Sequence, residues 1–65
     1  MMPVDPAYLK IGMSESELRD VVRFPDDKNT TNVSGMIKEQ WVYDTGLDTY
    51  YLYLENGVFV GWQKM

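Results

Sequence analysis

Thr49-Tyr50-Tyr51-Leu52-Tyr53-Leu54-Glu55-Asn56-Gly57-Val58-Phe59-Val60-Gly61-Trp62 reads as two strands joined by a two-residue turn. Asn56 and Gly57 both accept positive φ, which a type I′ turn requires at its two central positions, and the twist of that turn matches the flanking strands. A turn of this length sets the register. Glu55 opposes Val58, Leu54 opposes Phe59, Tyr53 opposes Val60, Leu52 opposes Gly61 and Tyr51 opposes Trp62. Alternation then gives one face with Tyr50, Leu52, Leu54, Phe59 and Gly61 and another with Tyr51, Tyr53, Val58, Val60 and Trp62. Neither face is polar. The Leu52, Leu54 and Phe59 face is expected in the core, with Gly61 leaving room for a helix to approach.

Upstream of the hairpin, Met36-Ile37-Lys38-Glu39-Gln40-Trp41-Val42-Tyr43 has strand character and connects through Asp44-Thr45-Gly46-Leu47-Asp48. Thr30, Thr31 and Val33 form a weaker strand before a turn at Ser34-Gly35. Which way Trp41 and Tyr43 face depends on the effective length of the loop from Asp44 to Asp48, because a change of one residue flips the strand. The need of a small core for large side chains favours the inside.

The amino-terminal part carries helix signals. Ser14 and Glu17 have the spacing of a capping box, and Met13 can staple onto Leu18. Leu18, Val21 and Val22 then lie on one helical stripe, and Pro25 stops the helix by disfavouring the α conformation at Phe24. Before this, Asp5 as a cap and Pro6 at the first helical position predict a short helical turn, broken at Gly12. The expected fold class is α+β, with one or two short N-terminal helices packed on one face of a three- to four-stranded antiparallel meander and residues 1–65 as a single domain.

A chain of 65 residues has room for one core and buries only about 60% of the surface it exposes when unfolded. A core of that size supplies roughly 3–5 kcal/mol, so small scaffolds are commonly reinforced by a disulfide, a metal or a partner subunit. There is no cysteine and no histidine, which excludes the first and removes the commonest structural zinc ligand. Ten acidic and six basic residues give a net charge of −4, which repels phosphate backbones, so no nucleic-acid partner is expected. No apolar run approaches the ~18 residues that suggest a spanning helix, so no membrane insertion is expected. The expected location is cytoplasmic if the chain is complete, and periplasmic or outer-membrane-associated if it is an excised mature domain.

The residue types needed for catalysis are not grouped. Without histidine only a lysine is left to activate a serine or threonine, and Lys10, Lys28, Lys38 and Lys64 show no relevant spacing. Asp26-Asp27 and Asp44 to Asp48 are acidic loops without EF-hand spacing. The expectation is therefore no enzyme, no catalytic or metal site and no cofactor, with a small metal-dependent enzyme on those acidic loops as an alternative. The tyrosine and tryptophan side chains of the last hairpin carry the leading functional reading. Tyr51, Tyr53, Val60 and Trp62 form a candidate protein-binding face, since Tyr and Trp are enriched at interfaces. The alternative is a homodimer in which that face serves self-association only.

The order Ile11-Gly12-Met13-Ser14-Glu15-Ser16-Glu17-Leu18, Pro25-Asp26, Glu39-Gln40-Trp41-Val42-Tyr43 and Tyr51-Leu52-Tyr53-Leu54-Glu55-Asn56-Gly57-Val58 resembles the SmpA/OmlA family of small bacterial outer-membrane lipoproteins, which includes the BamE component of the β-barrel assembly machinery. The resemblance spans roughly residues 9 to 63. It implies two helices on an antiparallel sheet of about three strands, an architecture similar to the repeats of β-lactamase inhibitor protein, and a non-enzymatic module that binds or scaffolds other proteins without a cofactor. The chain departs from the family pattern at Arg23-Phe24, where a glycine usually precedes the proline, and it has no lipobox cysteine.

Overall fold

The computed structural model describes residues 6–65. A 3-10 turn, Pro6–Tyr8, precedes helix α1 (Glu15–Arg19) and four strands, β1 (Asp27–Val33), β2 (Met36–Asp44), β3 (Thr49–Glu55) and β4 (Val58–Lys64). The strands form one antiparallel sheet in the order β1-β2-β3-β4. The architecture is thus α+β in kind and mostly sheet. Asp5, the expected cap of the first turn, lies outside the described residues. Among the described residues no helix is long and apolar enough to cross a membrane.

Two short turns set the meander. Ser34 and Gly35 join β1 to β2 with φ of 51° and 82°, and Asn56 and Gly57 join β3 to β4 with φ of 51° and 78°. Positive φ at both central residues is the type I′ requirement. Asn56 does more than turn the chain, because its side-chain oxygen accepts from the Ile37 amide at 2.9 Å and its own amide donates to the Ile37 carbonyl at 2.8 Å. The turn is thereby tied to β2.

The β3–β4 register departs from simple pairing. Glu55 opposes Val58 and Leu54 opposes Phe59 as expected, but Tyr53 then opposes Gly61, Leu52 opposes Trp62 and Tyr51 opposes Gln63. A β-bulge inserts Val60, so that Val60 and Gly61 together face Tyr53. Every residue after the bulge changes face. No helix approaches Gly61, since a Cβ there would meet nothing within 4 Å; an isolated glycine within a strand marks the bulge instead.

The helix is also shorter than its apolar stripe suggests. The capping box forms as expected, with the Glu17 amide donating to the Ser14 hydroxyl at 3.1 Å and the Ser14 amide donating to the Glu17 carboxylate at 3.0 Å. However, α1 ends at Arg19 with Asp20 as its cap, well before Phe24. Val21 and Val22 both donate to the Leu18 carbonyl at 3.1 Å, which closes the last turn. Two consecutive β-branched residues propagate a helix poorly, and the Arg23 carbonyl is taken by the Tyr43 hydroxyl at 3.0 Å. That bond holds the chain on the sheet side rather than on the helix path.

The buried cluster comprises Leu18, Val22, Trp41, Tyr43, Tyr50, Leu52, Leu54 and Phe59, with Leu9, Met13 and Val21 packed against it. Trp41 and Tyr43 are 1% and 0% exposed and sit opposite Leu52 and Tyr50, so they belong to the inner face. The Trp41 indole N–H is satisfied by Glu39 at 3.3 Å. β1 begins at Asp27, earlier than its threonines suggest, because it follows the long β2 up to Val42; every one of its residues is exposed. On the opposite edge, Gly12 donates to the Phe59 carbonyl, Phe59 donates to the Met13 carbonyl and Glu15 donates to the Gly57 carbonyl, at 2.8 to 2.9 Å. The segment from Gly12 to Glu15 therefore covers the first half of β4.

Candidate protein-binding face

Tyr51 and Tyr53 point away from the buried cluster, two positions apart on β3 and therefore on one face. Their rings stack with centroids 6.5 Å apart and planes at 23°. Val42 opposes Tyr51 on β2, and Val60 and Gly61 face Tyr53 on β4. Both tyrosines are half-buried, and Val58 and Val60 are exposed. The Tyr53 hydroxyl donates to the Gln63 side chain at 3.1 Å, which steadies its ring at the edge of the patch. The result is a small apolar surface with polar tips.

Trp62 does not share this face, contrary to the expected set of Tyr51, Tyr53, Val60 and Trp62. The bulge places it opposite Leu52, on the inner face, with its ring 6.2 Å from that of Tyr50. It remains 40% exposed because it lies at the rim of the buried cluster. The structure thus brings together three of the four residues, and the signal that separates the fourth was Gly61 within a strand.

A second feature lies on the inner side, between the end of α1 and the start of β1. Arg19, Val22, Arg23, Phe24, Lys28 and Trp41 contribute to the lining of a groove of about 430 Å3. The Arg19 guanidinium and the Lys28 ammonium lie 5.7 and 5.6 Å from the centre of the Trp41 ring, and Arg23 lies 5.1 Å from that of Tyr43. Each cation already has a carboxylate. Arg19 pairs with Glu15 at 2.9 Å, Arg23 with Asp26 at 3.1 Å and Lys28 with Glu39 at 3.1 Å. Burial works to raise the Glu39 pKa, but Lys28 and the Trp41 N–H favour the anion more strongly and hold it below its usual value. The groove is lined by compensated charge, and sequence spacing alone gave no sign of it because Trp41 joins the stretch from Arg19 to Lys28 only through the pairing of β1 with β2.

The acidic loops are occupied by structural bonds. Asp26 accepts from both terminal nitrogens of Arg23 and from the Asp44 amide at 2.6 Å. Asp44 accepts from the Gly46 amide at 2.9 Å, and Asp48 lies 3.9 Å from the Lys64 ammonium. Among the described residues no three acidic groups are arranged to hold a metal ion. No protein-family model, curated protein or solved structure matches the chain.

Proposed function

We propose that this chain is a non-enzymatic protein-binding domain that presents Tyr51, Tyr53 and Val60 to a protein partner. In this reading α1 and the preceding turn pack on the Leu52 face and leave the opposite face to the partner, an arrangement supported by Leu18 and Val22 in the buried cluster. The observation that carries the proposal is the stacked Tyr51–Tyr53 pair, held outward beside Val42 and Val60 on a face turned away from that cluster. Aromatic rings with a polar tip give a large contact area at low ordering cost, which is why they dominate interface energetics.

The test compares the wild type with a Tyr51→Ser, Tyr53→Ser double variant. The variant should keep the fold, seen as a retained near-ultraviolet tryptophan signal from the buried Trp41, and lose a protein that the wild type retains from a lysate and binds again after purification. A partner bound equally by both proteins, or none bound by the wild type, removes the reading.

A further inference from the structure

We infer that β1 is a self-pairing edge through which two copies of this chain join their sheets. This interface is separate from the tyrosine face and does not depend on it. Its basis is the contrast between the two edges of the sheet. β4 is interrupted by the bulge at Val60 and covered over its first half by the segment from Gly12 to Glu15. β1 pairs with β2 without a register shift from Asp27 to Val33, contains no proline and is exposed at every residue. A regular uncovered edge is a template for another strand.

The backbone groups on that edge can be identified. Ile37 spends both its amide and its carbonyl on Asn56, on the β3 side. Alternation along β2 then directs Met36, Lys38, Gln40 and Val42 toward β1, where their register partners are Val33, Thr31, Asn29 and Asp27. Lys28, Thr30 and Asn32 therefore present their amides and carbonyls outward, the Lys28 amide already donating to the Asp27 carboxylate at 2.8 Å.

The strand suits a copy of itself. A two-fold axis through Thr30 uses its whole length and sets Thr30 opposite Thr30, Lys28 opposite Asn32 and Asn29 opposite Thr31 of the second copy. That pairing gives roughly four main-chain hydrogen bonds from free groups, and two more when the Lys28 amides exchange their Asp27 carboxylates for the second copy. No like charges oppose each other, and the strand's two charges, Asp27 and Lys28, cancel within each copy at opposite ends of the ladder. Thr–Thr pairs across antiparallel strands are favourable. The isologous geometry closes at two copies, because each dimer then exposes only the covered and bulged β4 edges.

Three variants and one association measurement test this inference. Sedimentation equilibrium should show a concentration-dependent dimer. Thr30→Pro should raise its Kd by roughly tenfold or more while preserving the fold, because the lost amide points away from β2. Since the chain lacks cysteine, Thr30→Cys provides a unique thiol. Under mild oxidation it should give a covalent dimer, as directly opposed residues lie within disulfide reach, whereas Asn32→Cys, which faces Lys28, should not. A wild type that stays monomeric, equal cross-linking of the two cysteine variants, or dissociation by Tyr51→Ser and Tyr53→Ser but not by Thr30→Pro would each overturn the inference. If Thr30→Pro unfolds, the cysteine pair still decides it.

Discussion

The Tyr43 hydroxyl donates to the backbone carbonyl of Arg23 at 3.0 Å, joining the middle strand β2 to the segment that leaves α1. The phenol ring is fully buried and the Arg23 guanidinium lies 5.1 Å from its centre. One side chain thus fills the core, fixes the helix exit and carries a cation on its face.

Tyr43→Phe removes the bond and leaves the Arg23 carbonyl without that donor, which should cost about 1 kcal/mol in urea denaturation. The pH dependence separates this effect from packing. Burial pushes the phenol from 10.0 up to about 12, against the pull of Arg23 toward ionisation. The folded state keeps a proton that the unfolded chain releases, so this contribution is intact below pH 10 and is lost as pH rises from 10 toward about 12. The difference between wild type and Tyr43→Phe should shrink over that window.

Ser14→Ala should destabilise the protein by about 1 kcal/mol, because it opens the capping box of a helix too short to persist by itself. The hydrogen bonds from the Ser14 amide and hydroxyl hold the Glu17 pKa below its usual value. Their stabilising effect is present above the ordinary carboxylate pKa and is lost as pH falls through the lowered one. Ser14→Ala keeps the amide that holds the Glu17 carboxylate and loses a bond from the Glu17 amide that does not titrate, so its urea midpoint should stay below that of wild type as pH falls from 7, the gap narrowing only by the share of the hydroxyl.

Asp26→Asn tests the link between α1 and the loop after β2. Arg23 and the Asp44 amide hold the Asp26 pKa below its usual value, so the carboxylate stabilises the fold at neutral pH and ceases to do so as pH falls through that lowered pKa. The pair is about half exposed, so solvent screening keeps the expected loss small. Salt should reduce it further.

The two tryptophans should differ in both energy and spectroscopy. Trp41→Ala empties the centre of the core and should cost about 3–5 kcal/mol. Trp62→Ala loses mainly the contact with Tyr50 and should cost about 1 kcal/mol. Acrylamide quenching should act chiefly on Trp62, so Trp62→Phe should leave an emission that resists quencher. Equal quenching of both indoles would contradict the burial of Trp41.

What was legible in the sequence follows from the range over which each signal acts. The Ser14 and Glu17 capping box and the Asn56-Gly57 turn depend on neighbours within a few residues, and both occur as read. The first two pairs of the last hairpin are equally local. Beyond them the register rested on uninterrupted pairing, and the bulge at Val60 moved Trp62 off the candidate face. The exit from α1 is governed by Tyr43, twenty positions away, and so an apolar stripe that runs on to Val22 overstated the helix. The cations beside Trp41 were beyond reach for the same reason, since Arg19, Lys28 and Trp41 meet only after the sheet has formed.

The bulge at Val60 also gives β4 a tolerance to a change of length that its composition does not reveal. Loss of that one codon would remove the bulge and make the pairing with β3 continuous while every later side chain of the strand keeps its face, Gly61 opposite Tyr53 and Trp62 opposite Leu52. A single in-frame deletion, with no change in any remaining residue, would trim Val60 from the outer surface and leave Trp62 beside Tyr50. Natural variation in length at this point would then act on the tyrosine face and leave the rim of the core as it is.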